Sequence, residues 1–294
     1  MLNFRKIEID DYEKVSQLFM ESGIENCEHC FATMFVWSKR HDVKIAVEEN
    51  TVFMRSMGNE HIWYLYPRGT MDKKEAVEKI IRDADGKKIS IYGMDEENAR
   101  FISDNFSHIF DVKEDRDGSD YLYKAEDLAT LSGKNYQKKR NHVSRFLREN
   151  PDYSFIRITA ENLHTAKEFV AQWCEKYNTD NSWDLVSEQQ GINELLDKCD
   201  RLQLMGAMIE TQSGIVALSI AAPINSRMVD VMVEKAYHDV NGAYAIINRD
   251  FAANCFQSFE LINREDDMGM ENLRKAKMSY FPYEIRKKYL AQSR

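Results

Sequence analysis

Proline and glycine are scarce in this chain, which contains 4 and 12 of them among its 294 residues. No low-complexity stretch separates one part of the sequence from another. Flexible linkers are usually rich in glycine, serine or proline, so we expect any two domains to be packed together. The length allows two domains of ordinary size or a single large one.

The sequence also lacks a long hydrophobic run. Its longest near-continuous apolar segment extends from Gly214 to Ile224, which is well short of the roughly 20 residues that a membrane-spanning helix needs. Residues 1–11 carry charges where a secretory signal peptide has an apolar core. The sequence therefore predicts a cytoplasmic protein without a transmembrane segment.

An even set of cysteines is absent as well. The chain has five, and an odd count in a cytoplasmic protein indicates free thiols. The run Cys27-Glu28-His29-Cys30 resembles half of a zinc site, but no second Cys/His pair follows at a usable distance to complete the four ligands. We therefore predict no metal site.

The overall charge is not basic. The chain carries 40 Lys and Arg against 49 Asp and Glu, a net charge of −9, which argues against non-specific binding of nucleic acid by the whole surface. The apolar fraction of 43% and the charged fraction of 30% are those of a soluble globular protein. A local basic patch is compatible with this composition.

The predicted elements occur in an order that repeats once along the chain. Each half begins with a strand and helices, continues with three meandering strands, and ends with a helix, a strand and a helix. Glu49-Asn50 and Gly58-Asn59 are predicted turns of the first meander. The middle strand of the second meander, Ile215 to Ala222, is apolar on both faces and should lie at the centre of its sheet. The polar run Asp115 to Asp120 is predicted to form a turn near the point where the order restarts.

Antiparallel hairpins first and a β-α-β unit last is the element order of the GNAT acyltransferase fold. We therefore predict an α+β protein with two GNAT-like domains in tandem, each a mixed, mostly antiparallel sheet flanked by helices. The predicted boundary divides the chain into residues 1–125 and 126–294.

A basic segment follows this boundary. Lys134 to Arg148 contains six Lys and Arg and no acid, and Tyr136, Arg140 and Val143 lie on one face of the predicted helix. A guanidinium in an apolar stripe needs a partner, because burying it alone is costly. One interpretation is a solvated basic face in which Arg140 pairs within the fold. The other is a cradle for a phosphate or for the backbone of an RNA.

A second candidate segment leaves a core strand at Glu234 and enters a helix at Asn241-Gly242. The amides at a helix N-terminus suit a phosphate or a carboxylate. GNAT enzymes have their pyrophosphate loop here, with the pattern Gln/Arg-x-x-Gly-x-Gly/Ala. Gly242 matches that pattern, whereas Asp239 stands in the place of the basic or amide residue and Tyr244 in that of the small one. A helix cap with glycine as its turn residue is the alternative interpretation.

A third segment, Asn263 to Asp267, follows the strand that should neighbour the one ending at Glu234. Because both strands of a β-α-β unit end at the same edge of the sheet, Glu234, Glu265 and Asp266 are predicted to share a cleft. Clustered carboxylates raise one another's pKa and can supply a general base. Lys277 lies in an apolar stripe of the next helix, and a structural salt-bridge network between helix and loop is the alternative interpretation.

Taken together, these segments resemble a family of bacterial proteins related to the C-terminal domain of phosphatidylglycerol lysyltransferase. The resemblance covers essentially the whole chain. It is carried by Glu126-Asp127-Leu128-Ala129 with Leu131, Gly133 and Lys134, by Lys138 to His142, by Gly242-Ala243-Tyr244 with Ile247-Asn248, and by Ile262 to Asp266 with Leu273 to Lys277.

The resemblance implies a tandem GNAT fold whose C-terminal domain is active and whose N-terminal domain shapes the cleft. It implies transfer of an aminoacyl group from aminoacyl-tRNA to a lipid, peptide or small-molecule acceptor, with the basic helix suited to the tRNA acceptor end. The alternatives are a CoA-dependent N-acetyltransferase and a non-catalytic module that retains the cleft. No cofactor is required beyond the acyl donor, which is either aminoacyl-tRNA or acyl-CoA.

Direct attack of an acceptor on the donor ester needs a base and a group that polarises the carbonyl. We predict Glu265 or Asp266 as the base, with Glu234 behind them. The predicted donor-binding residues are Lys139, Arg140, Asn241, Gly242, Ala243, Tyr244, Asn248, Asn263, Arg264 and Lys277.

Overall fold

A computed structural model describes four stretches of the chain, namely residues 2–23, 25–58, 61–178 and 183–294. The chain forms two compact units. Unit 1 contains residues 1–120, 266–271 and 285–294, and unit 2 contains residues 121–265 and 272–284. Two segments of the predicted second domain, 266–271 and 285–294, therefore lie with unit 1.

Unit 1 is built on a sheet flanked by helices. Its elements are β1 (Arg5–Lys6), α1 (Tyr12–Glu21), α2 (Phe31–Ser38), β2 (Lys44–Glu48), β3 (Thr51–Met57), β4 (His61–Gly69), α3 (Lys73–Ala84), β5 (Lys88–Met94), α4 (Glu96–Phe106), the first part of β6 (Phe110–Lys124) and β12 (Glu284–Ser293). The strand order is β1-β2-β3-β4-β5-β12-β6. Strands β4 and β5 are parallel, and the pairs β1–β2, β2–β3, β3–β4 and β5–β12 are antiparallel.

Unit 2 repeats this plan. Its elements are the end of β6, α5 (Ala125–Thr130), α6 (Gln137–Glu149), β7 (Ser154–Arg157), α7 (Leu163–Tyr177), α8 (Trp183–Asp197), β8 (Met205–Thr211), β9 (Gly214–Pro223), β10 (Met228–Ala236), α9 (Ala243–Cys255), β11 (Leu261–Asn263) and most of α10 (Glu271–Met278). The strand order is β6-β11-β10-β9-β8-β7. Only the β10–β11 pair is parallel among the described pairs of this unit.

Local sequence explains the helix starts and the central strand. Asp72 precedes α3, and its carboxylate accepts hydrogen bonds from the amides of Lys74 and Glu75, which satisfies donors that the helix leaves free. Strand β9 lies between β8 and β10, and its residues 216–222 are buried. The prediction that Ile215 to Ala222 form a central strand is confirmed.

One prediction about local structure is wrong, and the prediction omits one strand. Asp115 to Asp120 do not form a turn, because they continue the 15-residue strand β6. Strand β12 was not predicted at all. Of the predicted hairpin turns, Glu49-Asn50 joins β2 to β3 with a positive φ at both residues, and Asn59 of the Gly58-Asn59 turn lies outside the described residues.

None of the helices in the described part of the chain has both the length and the apolar character of a membrane span.

Candidate functional site

A cavity of about 310 Å³ lies in unit 2 where β10 ends and α9 begins. The basic helix α6 contributes one wall and the chain after α10 another. Its lining residues are Lys139, His142, Tyr237, His238, Val240, Asn241, Gly242, Ala243, Tyr244, Ala245 and Tyr280. Five predicted donor-binding residues, Lys139 and the run Asn241 to Tyr244, are therefore brought together around one space.

Lys139 and Arg264 approach the ring of Tyr280. The Lys139 ammonium lies 3.6 Å from the ring centroid and the Arg264 guanidinium carbon 5.0 Å from it. An aromatic face attracts a cation, but burial and then the positive charge of Arg264 lower the pKa of Lys139 to about 8, against the opposing effect of Glu234. Lys139 is therefore an ammonium at neutral pH that lacks full solvation, and an anionic or carbonyl oxygen in the cavity would stabilise it.

Glu234 holds Arg264 in place. Its Oε1 accepts a hydrogen bond from Arg264 Nη2 at 2.8 Å, and its Oε2 accepts one from Asn248 Nδ2 at 3.2 Å. The Arg264 and Glu234 side chains are 12% and 13% exposed, so the pair is shielded from water. Two buried polar atoms beside it, Arg264 Nη1 and Asn248 Oδ1, have no hydrogen-bond partner among the described residues. The sequence predicted that Glu234, Glu265 and Asp266 share a cleft, and in the structure Glu234 pairs with Arg264.

Gly242 is the N-terminal cap of α9, which is the alternative interpretation of this segment given above. Its φ is +79°, a region that favours glycine. A Cβ at this position would lie 2.4 Å from the carbonyl oxygen of His142 and 3.0 Å from Cβ of Phe146. The glycine therefore lets helix α6 approach the start of α9, and α6 occupies the space beside it.

Gly242→Ala is expected to lower the free energy of unfolding by about 1–3 kcal/mol through the positive φ alone, and by more because of the contact with α6. Gly133→Ala is the matched control, since Gly133 has a φ of +84° but no described atom within 4 Å of the place that a Cβ would take. Urea unfolding of both variants separates the cost of the positive φ from the cost of the contact with α6. Equal losses in the two variants would show that the approach of α6 has no energetic role.

Asp239 does not stand unpaired beside the loop. Its carboxylate accepts from Lys176 Nζ at 2.8 and 2.9 Å, and the hydrogen bond to Lys176 lowers the pKa of Asp239. The residue is not among those lining the cavity. The negative charge that argued against a pyrophosphate at this loop is thus balanced by a neighbouring ammonium.

Arg140 and Lys277, the two cations predicted in apolar stripes, bind backbone carbonyls. Arg140 Nη1 donates to the carbonyl oxygens of Leu131 at 2.5 Å and Gly133 at 2.6 Å. Lys277 Nζ donates to the carbonyl oxygen of Arg264 at 2.5 Å. Both side chains therefore hold loops of unit 2, and neither lines the cavity.

The remaining predicted residues also lie away from the cavity lining. Asn263 is fully buried and its Oδ1 accepts from the amide of Glu265. Glu265 has a φ of +55° and belongs to unit 2, whereas Asp266 belongs to unit 1, where its carboxylate accepts from the amide of Met268. Neither Glu265 nor Asp266 is among the described residues that line the cavity.

Sequence reasoning did not select four aromatic or imidazole side chains of the cavity, His142, Tyr237, His238 and Tyr280. Tyr177 and His238 have ring centroids 4.4 Å apart, and His238 and Tyr244 5.8 Å apart. Burial raises the pKa of Tyr244 to about 12, so its hydroxyl keeps its proton at neutral pH. The high density of tyrosine and histidine between residues 237 and 244 was the signal available in the sequence.

A separate buried cluster in unit 1 contains the cysteine motif. Lys288 Nζ lies 2.6 Å from Asp120 Oδ1, 2.6 Å from Glu28 Oε1 and 3.4 Å from Cys27 Sγ. The Cys27 amide also donates to Asp120 Oδ2 at 2.9 Å. Cys27, Glu28 and Asp120 could together hold a metal ion, but the Lys288 ammonium takes the central position that a cation would need.

The fold defines a tandem GNAT protein. Each unit has three meandering strands followed by a helix and a parallel strand. A tandem GNAT protein from the clavulanic acid biosynthesis pathway superposes over 100% of this chain and 98% of its own, with 9% identity and a TM-score of 0.50.

The sequence profile of the C-terminal region of phosphatidylglycerol lysyltransferase matches residues 20–292, and the chain belongs to this family. A conserved protein of unknown function from Bacteroides thetaiotaomicron has 33% identity over the full length of both chains and a TM-score of 0.94. The L-PGS of Bacillus licheniformis shares the fold at 17% identity, over 95% of this chain and 90% of its own, with a TM-score of 0.66.

An uncharacterized protein of Mycoplasmoides gallisepticum is 26% identical over 176 residues. The matched region is 59% of this chain and spans just over half, 56%, of that relative.

Proposed function

We propose that unit 2 transfers an aminoacyl group from aminoacyl-tRNA to an amine or hydroxyl of a lipid, peptide or small-molecule acceptor. The observation that carries this proposal is the Lys139 ammonium, held against Tyr280 in a cavity that opens at the start of α9. A partly desolvated cation beside helix amides suits a phosphate or a developing oxyanion. The family description supports lysyl or other aminoacyl transfer in particular.

The chemistry needs no covalent enzyme intermediate. The acceptor nitrogen or oxygen attacks the carbonyl carbon of the aminoacyl ester, and the bond between that carbon and the ribose oxygen breaks. The acceptor proton passes to the leaving ribose oxygen. We assign Lys139 to the negative charge that develops on the carbonyl oxygen, or to the adjacent phosphate, and Arg264 with Glu234 to positioning Tyr280 and Lys139.

The transfer also needs a base that takes up the acceptor proton. Glu265 of unit 2 stays our proposal for that role on chemical grounds, although it is not among the described residues that line the cavity. Asp266, the other predicted base, belongs to unit 1. Glu234 is committed to Arg264 and Asn248, so we assign it to positioning. A neutral amine is already nucleophilic, so a weak base is sufficient when the acceptor is an amine and the leaving group is an alcohol.

One observation favours acyl-CoA as an alternative donor. The Lys176–Asp239 pair balances the charge that made the loop unfavourable for a pyrophosphate.

Donor identity is tested by adding aminoacyl-tRNAs, uncharged tRNA and acetyl-CoA separately, and by measuring thermal stability and the transfer of radiolabelled acyl groups to amines and to phospholipid vesicles. We expect a stability increase with aminoacyl-tRNA and label in the acceptor fraction. Binding and transfer with acetyl-CoA alone would overturn the proposal. Binding of aminoacyl-tRNA without transfer to any acceptor would indicate a binding module.

Donor binding should depend on the charge of Lys139. With a pKa of about 8, the ammonium predominates below that pH, and its charged fraction falls about tenfold for each pH unit well above it. We expect donor affinity to decline above pH 8 in a titration followed by fluorescence anisotropy. Lys139→Arg should remove that decline, since arginine stays charged, and an unchanged pH profile in this variant would contradict the role.

A further inference from the structure

Unit 1 has a pocket of its own, with a volume of about 370 Å³, at the end of β4. The beginnings of α3 and α4 both contribute to it. Its lining includes Tyr66, Arg68, Lys73, Asp95, Glu97 and Asn98. The pocket has the same place in the element order of unit 1, between a meander strand and the next helix, as the cavity has in unit 2.

Arg68 is a buried cation of this pocket with little compensation. Its side chain is 8% exposed, and its contact with an acid is 3.5 Å, from Nη2 to Asp95 Oδ2. Its Nε is buried without an acceptor among the described residues. The guanidinium carbon lies 4.7 Å from the centroid of the Tyr66 ring. A buried guanidinium normally makes several short hydrogen bonds, and Arg68 makes one long one.

The acids that line the pocket are engaged elsewhere. Asp95 Oδ1 accepts from the amide of Asn98 at 2.8 Å and caps α4, and both oxygens of Asp95 accept from Asn98 Nδ2. Glu97 Oε1 accepts from Lys73 Nζ at 2.6 Å. The lining therefore contains two cations and two acids, and within the described residues the acid contact of Arg68 is the long one from Asp95.

Two further polar atoms of the lining are buried and have no partner within the described chain. They are the Tyr66 hydroxyl oxygen and Asn98 Oδ1. His29 adds no positive charge nearby, because burial and then the charges of Arg68 and Lys288 lower its pKa well below the usual value. The pocket is thus polar, incompletely hydrogen-bonded and centred on Arg68.

We propose that this pocket is a second ligand site, which binds a small oxyanion, either a carboxylate or a phosphate group, through the Arg68 guanidinium. Lys73 also lines the pocket, where its side chain is 44% exposed and its ammonium pairs with Glu97. The bound anion would complete the hydrogen bonding of Arg68. The site is independent of the transfer chemistry assigned to unit 2.

The proposal is tested by titrating the protein with acetate, inorganic phosphate and pyrophosphate, one at a time and at constant ionic strength. Comparison of the three anions distinguishes a carboxylate ligand from a phosphoryl ligand. Binding is measured by isothermal titration calorimetry and thermal unfolding. At least one anion should bind wild-type protein, and Arg68→Gln should weaken it at least tenfold. Arg82→Gln should bind it like wild type, because Arg82 is an exposed cation of unit 1 that does not line this pocket. A preference for acetate identifies a carboxylate ligand, and a preference for phosphate or pyrophosphate a phosphoryl ligand.

Lys73→Ala is a second variant for the case that Arg68→Gln does not fold. Because the Lys73 side chain is exposed, its removal should leave the core intact. We expect it to weaken anion binding two- to fivefold. Failure of all three anions to bind wild-type protein overturns the proposal. So does equal affinity in wild-type protein and in the folded Arg68 or Lys73 variants.

Discussion

Lys288→Met is expected to lower the free energy of unfolding by about 3–5 kcal/mol, because it removes one partner of a buried ion cluster. Lys288 is 1% exposed, and its ammonium is the cation that contacts both Asp120 and Glu28. Methionine fills a similar volume but leaves two carboxylates facing each other without a cation. Urea unfolding at neutral pH measures the loss.

Lys287→Met is the matched control for this variant. The adjacent Lys287 is 58% exposed and pairs with Glu114, and an exposed pair of this kind contributes little to stability. Comparable losses at positions 287 and 288 would show that the buried cluster does not stabilise unit 1.

The loss in free energy of unfolding caused by Lys288→Met should also depend on pH. Burial raises the pKa of Glu28 in the wild type, although Lys288 opposes the shift. Without Lys288 the protonated carboxyl is favoured further in the folded state. The pKa of glutamate in the unfolded chain is about 4.3, and the pKa of Glu28 in the folded variant lies above it. The loss in free energy of unfolding is therefore smallest below pH 4.3 and grows as the pH rises through the folded pKa.

Lys139→Met is expected to lower aminoacyl transfer by about 100- to 1,000-fold, the cost of removing one charged group that stabilises an oxyanion. The same substitution should leave the stability of the protein close to that of the wild type, because Lys139 is a partly desolvated cation whose pKa is already lowered. Single-turnover transfer from aminoacyl-tRNA and urea unfolding are measured on the same preparation.

Lys138→Met separates the role of position 139 from the general basicity of α6. Lys138 is the preceding residue of the same helix and is exposed, so its loss removes one positive charge without touching the cavity. We expect at most a few-fold effect on transfer. A similar loss in both variants would mean that α6 acts through its overall charge, and Lys139 would then have no specific role.

The parts of the fold that could be predicted are those set by local pattern. Strand β9 is apolar on both faces, and its central place follows from that pattern. Strand β6 shows the limit, because the polar run Asp115 to Asp120 has the composition of a turn. It stays extended where Ser119 and Asp120 are fully buried, and the ammonium that compensates Asp120 comes from Lys288, far along the chain.

The site shows the same division. Lys139 and Asn241 to Tyr244 could be predicted because a basic helix and a strand-to-helix turn are local signals. Arg140 and Lys277 could be recognised as cations in need of partners, but the sequence does not say whether a partner is a carbonyl or a ligand. In the structure both bind carbonyls of unit 2. Tyr280 is missing from the prediction because its role depends on Lys139 and Arg264, which approach it from distant segments.

Strand β12 has a consequence for the order in which the protein can be made. Residues 285–294 belong to unit 1 although they follow nearly all of unit 2 in the sequence, and they pair with β5 and bring Lys288 to Asp120. On a ribosome, unit 1 therefore cannot be completed when its first 120 residues have emerged. It has to wait, with two acids of its core uncompensated, until the whole of unit 2 has been synthesised.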